Sequence, residues 1–299
     1  MSAVNSMFSL TNELSIGEIL KNIRISNISY EKLEKLYLYC MLQKYYKSNP
    51  QKINMRQIIN DNYVPSDLNK TINNLRKVHK KFEEKNTDKI NLYSDSSSKG
   101  KAERILKLLN KNVKGYNKNT PKSILDFGGG NGKILEYLGK IFNIDNKNLY
   151  LSDIDEWSGK EWSKDRNKDI NFIPSKELQK SKVKVDLIVV SHTLHHIKDE
   201  DLHEYIKSFE RILNKDGILV LVEHDIDMDI KRRLVDLKHY IYDLIIDQID
   251  TYSKYMKKYY SNYKSLNEWS KLLGKLKFVR YEKIHTSVDW TYFAFYKKQ

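Results

Sequence analysis

Between Ser29 and Glu84 the apolar positions recur at helical spacing, and from residue 101 they gather into short runs separated by helical stretches. Ser15-Ile16-Gly17-Glu18 has the Ser-x-x-Glu form that caps a helix start. Ser29 then precedes YEKLEKLYLYCMLQKYY, where Leu33, Leu36, Tyr37, Cys40, Met41 and Lys44 follow an i, i+3, i+4 rhythm. That spacing predicts a helix with one apolar face, ended by Pro50. Two further helices are expected over roughly 54–60 and 66–84, on either side of Asp61-Asn62-Tyr63-Val64-Pro65, with Ser66 as the N-cap of the second. Residues 88–100, including Ser94-Asp95-Ser96-Ser97-Ser98-Lys99-Gly100, are polar and read as a linker.

After the linker the order changes to strands alternating with helices, the pattern of a sheet with crossover helices. Strands are expected at 123–128, 148–153, 170–174, 185–191, 217–223, 277–285 and 290–297, with helices at 101–110, 131–142, 199–213 and 265–274. A long helical segment spans about 227–260, with Ile230, Leu234, Leu237, Ile241, Leu244 and Ile249 along one side. The expected domains are therefore a helical one over 1–87 and an α/β one over 101–299 that carries a helical insertion at about 227–263. No internal repeat is present.

Composition narrows the class. Hydrophobic residues are 40% and charged residues 31% of 299, enough apolar content for a real core. The single cysteine, Cys40, excludes a disulfide framework and any multi-cysteine metal site. No apolar run reaches membrane-spanning length and MSAVNSMFSLTNELS lacks a signal-peptide core, so a cytoplasmic protein without membrane contact is expected. The net charge of +14 is unevenly placed: residues 1–120 hold 22 basic against 11 acidic residues, the remainder 31 against 28. Lys70, Arg76, Lys77, Lys80 and Lys81 share one expected helix. Such a stripe suits RNA in a helix-turn-helix-like arrangement, the alternative being a solvated basic face.

Asp126-Phe127-Gly128-Gly129-Gly130-Asn131-Gly132 stands where an apolar strand runs directly into a helix. Glycines there permit positive φ and close approach of a ligand, and the helix amides favour an anionic group. Asp126-x-Gly128-x-Gly130-x-Gly132 resembles motif I of class I S-adenosylmethionine (SAM)-dependent methyltransferases. The resemblance covers about residues 100–299 and implies a Rossmann-like fold with a mostly parallel seven-stranded sheet, SAM as cofactor, and Asp126, Gly128, Gly130 and Gly132 as cofactor-binding residues. It further implies that Asp153, ending the second strand, binds the ribose hydroxyls, that Ile154 packs on the adenine, and that His192 lines the SAM pocket. Ser175 stands where the family has an acid after its third strand, a departure that leaves adenine recognition to the Ser175 hydroxyl or to backbone groups. Asp153 and Asp155 also fit the start of a following helix.

Ser191-His192-Thr193-Leu194-His195-His196 follows the fourth strand and is similar to the Leu-His-His segment of many such enzymes. With no H-E-x-x-H or comparable ligand pattern, no metal is expected. Glu223-His224-Asp225 ends the fifth strand, where an open α/β sheet binds ligands. His192, Glu223 and His224 are thus the candidate catalytic groups, with the aspartate equally suited to a helix start. His239 and Tyr240 are the candidate substrate contacts on a helical lid over the site, the alternative being a plain packing helix. Short pieces, Glu223-His224-Asp225, HYIYD and YYSNYKSLNEW, also resemble methyltransferase-like proteins of large DNA viruses.

Absent motifs narrow the acceptor. Ribose 2′-O methylation uses a Lys-Asp-Lys-Glu set, adenine amino methylation an Asn/Asp-Pro-Pro-aromatic motif, and cytosine C5 methylation a nucleophilic cysteine. None is found in the catalytic region. Guanine N7 needs only alignment, so RNA, including the mRNA cap guanine, is the expected acceptor. A small-molecule O- or N-acceptor with His192 or His224 as base is the alternative. A third is an inert subunit, disfavoured by the intact motif residues.

Overall fold

The computed structural model describes residues 29–46, 54–85, 95–116, 121–153, 167–246, 248–283 and 290–299. Its helices are α1 (Tyr30–Tyr46), α2 (Met55–Asn62), α3 (Leu68–Lys85), α4 (Asp95–Asn112), α5 (Lys133–Phe142), α6 (Ser175–Leu178), α7 (Asp199–Ile212), α8 (Asp229–Tyr240), α9 (Tyr252–Lys258) and α10 (Leu266–Leu272). The strands are β1 (Ile124–Phe127), β2 (Leu149–Asp153), β3 (Asn171–Pro174), β4 (Val185–Ser191), β5 (Leu213–His224), β6 (Lys277–Lys283) and β7 (Thr291–Lys297). Two compact units result: one draws on residues 1–92, 226–259 and 285–290, the other on 93–225, 260–284 and 291–299.

In the α/β unit the sheet order is β3-β2-β1-β4-β5-β7-β6. Strands β1 to β5 pair parallel, and β7 enters antiparallel between β5 and β6. Alternate residues serve opposite faces. Leu125, Phe127, Ile188, Val190, Leu219 and Leu221 fill one core, and Ile124, Leu187, Val189, Ile218, Val220 and Val222 the other. Burial on both faces is why these strands read as unbroken apolar runs rather than alternating ones. The chain winds outward from β1 to β3 and then crosses back to β4. Loops leave the carboxyl ends of β1 and β4 in opposite directions there, which opens a crevice between them.

Two boundaries differ from expectation. Residues 95–100 are helical, not linker: with Ala102, Ile105 and Leu109 fully buried, adding polar residues ahead of them costs little once the helix is nucleated. Strand β5 begins at Leu213, which pairs with Val185, and the pairing then skips to Leu187–Ile218. The intervening irregularity places Asp216 at φ 64°.

The helical unit has its own core. Leu36, Leu38, Leu42, Ile59, Ile72 and Leu75 pack with Leu234, Leu237, Ile241, Leu244 and Ile245. Residues 226–259, expected as an insertion in the α/β domain, thus share their interior with the N-terminal helices. Helix α1 is buried over most of its circumference, Leu38 and Tyr39 included, with Lys32 and Gln43 left exposed. Asp67, not Ser66, caps α3: its carboxylate accepts from Lys70 N at 2.8 Å, while Ser66 takes φ 60°. The segment expected as one long helix widens after α8 into a π-helix over Ile241–Ile246 and restarts at α9. No helix among the described residues is long and apolar enough to cross a membrane.

Candidate active site

The crevice is lined by the turn after β1. Gly128, Gly130 and Gly132 take φ of 70°, 58° and 75°, so every second residue is left-handed. At Gly128 a Cβ would lie 2.1 Å from Thr193 Oγ1, so the turn after β4 rests directly on this glycine. At Gly129 it would lie 2.5 Å from Asp126 Oδ2. Gly129 fills an unspecified place in the sequence motif, yet its missing side chain is what lets the turn close over Asp126. Gly132 then starts α5, leaving first-turn amides aimed at the crevice mouth.

Asp126 is buried, and its Oδ2 has no hydrogen-bond partner. Burial pushes its carboxyl up to about 7, opposed by Lys101 and reinforced by Asp153. Lys101, on α4, also donates to Ser191 Oγ at 3.4 Å. No sequence motif pointed to it, because 25 positions of chain part it from Asp126. Asp153 ends β2 as expected, and its Oδ2 accepts from Gly130 N at 2.7 Å, joining the acid to the glycine turn. Ser175 lies buried at the carboxyl end of β3, on the same sheet edge. Ile154 falls outside the described residues, as do Asp155 and the Ser15–Glu18 capping box.

His192 follows β4 at φ 53°, a region a non-glycine residue occupies at a cost of about 1–2 kcal/mol. Its amide still pairs with Val222 O at 2.8 Å. Its ring lies 3.3 Å from Ser191 Oγ through Nδ1, 3.2 Å from Thr291 Oγ1 through Nε2, and 4.7 Å between centroids from His224. His224 is buried, packed between His192, His195 and Tyr263.

Glu223 does not stand at the site as a free base. Its Oε1 accepts from Thr193 N and Leu194 N at 3.0 and 2.9 Å. Its Oε2 meets His195 Nδ1 at 2.7 Å and accepts from His224 N at 3.3 Å. Burial raises its proton affinity, against His224, His196 and the backbone amides. A fully buried carboxylate holding this many donors orients the His192–His195 turn and has no lone pair left for substrate. Asp225 is likewise structural, accepting from Leu266 N at 3.0 Å and Lys283 Nζ at 2.6 Å. Thr193, unremarked in the sequence, is the residue through which this turn touches Gly128.

His239 and Tyr240 belong to the helical unit. Tyr240 is buried in that unit's core, edge-on to Tyr252, Tyr255 and Tyr259, so it is a packing residue and not an exposed substrate contact. Burial and Asp236 raise its phenol well above the usual range. His239 is half-buried with its ring 5.9 Å from Tyr259. The neighbouring tyrosines are held by carboxylates, Tyr255 by Asp243 and Tyr259 by Asp236.

Among known proteins, solved structures of similar fold include the mitomycin 7-O-methyltransferase MmcR, 15% identical, with 68% of this chain and 55% of that chain covered at a TM-score of 0.47. Another is the Burkholderia thailandensis 1,6-didemethyltoxoflavin-N1-methyltransferase, solved with S-adenosylhomocysteine: 14% identity, 74% and 87% coverage, TM-score 0.45. A SAM-dependent methyltransferase from Archaeoglobus fulgidus gives 15%, 73% and 98%, and 0.47. This chain thus spans little more than half the length of the mitomycin enzyme. No curated protein sequence matches. A family model described as a methyltransferase domain matches residues 98–271, more than half of the chain. The glycine turn and the acid-tipped second strand both lie within the matched residues, and the chain belongs to that family as a class I SAM-dependent methyltransferase.

Proposed function

We propose that the methyl acceptor is a small molecule whose hydroxyl or amine gives up a proton as it is methylated. The observation that carries this reading is the His192 imidazole at the carboxyl edge of β4, held in a strained left-handed conformation against His224. An acceptor such as guanine N7 is already nucleophilic and needs no base, whereas a hydroxyl or amine does. Strain retained at such a position fits a functional demand on where the ring sits. The RNA reading loses one of its supports, because Arg76 of the basic helix donates to the Asp250 and Gln248 carbonyls within the helical unit.

The crevice residues fit SAM: a buried carboxyl with an unpartnered oxygen lies under a turn that has no side chain at Gly128–Gly130. Asp153 would hold the ribose hydroxyls, Asp126 and the Gly128–Gly132 turn the methionine portion, and Ser175 the adenine side. When bound, SAM supplies an electrophilic methyl group. With SAM in place, His192 would take the proton from the acceptor O–H or N–H at a ring nitrogen released from its Ser191 or Thr291 hydroxyl partner. Glu223 acts through the His192–His195 turn as a positioning residue.

The test is tritium transfer from labelled SAM to a panel of phenols and heteroaromatic amines, with capped and uncapped RNA in parallel. His192→Gln should lower kcat by about 100-fold or more and change the pH profile of kcat. Label entering capped RNA alone, or a His192→Gln enzyme with an unchanged profile, overturns the reading.

A further inference from the structure

A basin of about 360 Å³ opens at the amino edge of the sheet, the edge opposite the crevice. Its lining includes Lys207, Glu210, Arg211, Lys275, Lys298 and Gln299. The fold gathers these from three places: the end of α7, the link from α10 to β6, and the residues after β7. The carbonyl end of α7 draws the cations in. Lys298 Nζ donates to Glu210 O at 2.6 Å and Leu213 O at 2.7 Å, and Lys184 Nζ donates to Arg211 O at 2.6 Å.

Charge in the basin is unbalanced. Glu210 is the one carboxylate side chain of the lining named above, and it lies 3.5 Å from Lys275 Nζ. Lys207 reaches outward to Glu204 at 2.8 Å. Burial first and the nearby Lys184 second lower the proton affinity of Lys298, opposed by Glu210, so only the Lys184 part is repulsion between cations. An anion entering the basin would relieve that repulsion. Arg211 donates one Nη to Leu178 O at 2.9 Å, and the rest of its fork with the flanking lysines is the set that takes phosphate oxygens.

We propose that this basin binds phosphate groups, presented either by a nucleotide or by a nucleic-acid backbone. Strand β4 alone sets it roughly 20 Å from the crevice, so an anion bound there does not compete with SAM. The site is independent of the acceptor reading above.

Pyrophosphate, ATP and a labelled single-stranded RNA oligonucleotide would be titrated into the full chain between about 50 and 200 mM salt. The variant is Lys207→Glu with Lys275→Glu, both exposed at the rim. The control is Lys257→Glu with Lys258→Glu, both exposed at the end of α9, which changes net charge equally. SAM calorimetry on each variant reports an intact fold. The rim variant should lose about tenfold or more in affinity, with the control unchanged. ATP binding as tightly as the oligonucleotide identifies a nucleotide site; the oligonucleotide alone identifies the backbone. No binding by any probe at low salt, or an equal loss in the control, overturns the proposal.

Discussion

Asp126 keeps its proton to about pH 7 in the folded chain, whereas an exposed aspartate gives it up near 3.8. The folded state therefore binds more protons than the unfolded state across that window, and stability falls as pH rises through it. Asp126→Asn removes the penalty. Urea denaturation should show the variant's advantage growing from pH 4 to 8, reaching about 1–4 kcal/mol, even though SAM binding weakens. Asp153 sits differently, half-exposed and already bonded to the Gly130 amide. Asp153→Ala should weaken SAM binding by about 10–100-fold, and calorimetry showing unchanged affinity would refute the ribose assignment.

At the scale of elements, the turn after β4 depends on β5. Glu223 reaches across from its strand to hold the Thr193 and Leu194 amides and the His195 ring. Glu223→Ala leaves those donors buried and unpaired, which should destabilise the α/β unit by about 2–4 kcal/mol. Glu223→Gln retains an acceptor for the amides while losing charge. It should recover most of the stability yet still shift the pH profile of kcat, a change that a purely structural role would not make. The glycine turn constrains the same contact from the other side. In Gly128→Ala the new methyl meets Thr193 at positive φ, so SAM affinity should fall together with thermal stability.

At the scale of the molecule, the chain leaves the α/β unit after Asp225 to complete a helical unit and then returns. Leu234, Leu237, Ile241, Leu244 and Ile245 are buried in one core with residues of α1, α2 and α3. A chain beginning at residue 93 would present that face to water. It should be insoluble or bind hydrophobic dyes, whereas an autonomous N-terminal domain would be dispensable for folding. Expression of residues 93–299 followed by gel filtration decides between these outcomes. The Arg76 bonds to the carbonyls of Gln248 and Asp250 brace the same unit, joining helix α3 to the turn before α9.

Much of this protein is readable along the chain. The seven strands, helices α5, α7 and α10, the glycine turn and the acid ending β2 stand within two residues of where periodicity and the motif put them, except at β5. Those features depend on neighbours within one helical turn or one strand, and local spacing encodes them directly. Contacts between distant segments follow a different rule. Glu223 is a carboxylate at a strand tip in either description; only the packed sheet brings four donors to it and makes it a positioning group. Tyr240 has the spacing of a helix face, yet which face is covered depends on α1 and α3, more than 150 residues earlier. Lys101 beside Asp126, Thr193 on Gly128, and the cations gathered at the amino edge were likewise decided by chain crossovers, because a sequence specifies which surfaces are apolar or charged but the fold alone specifies which of them meet.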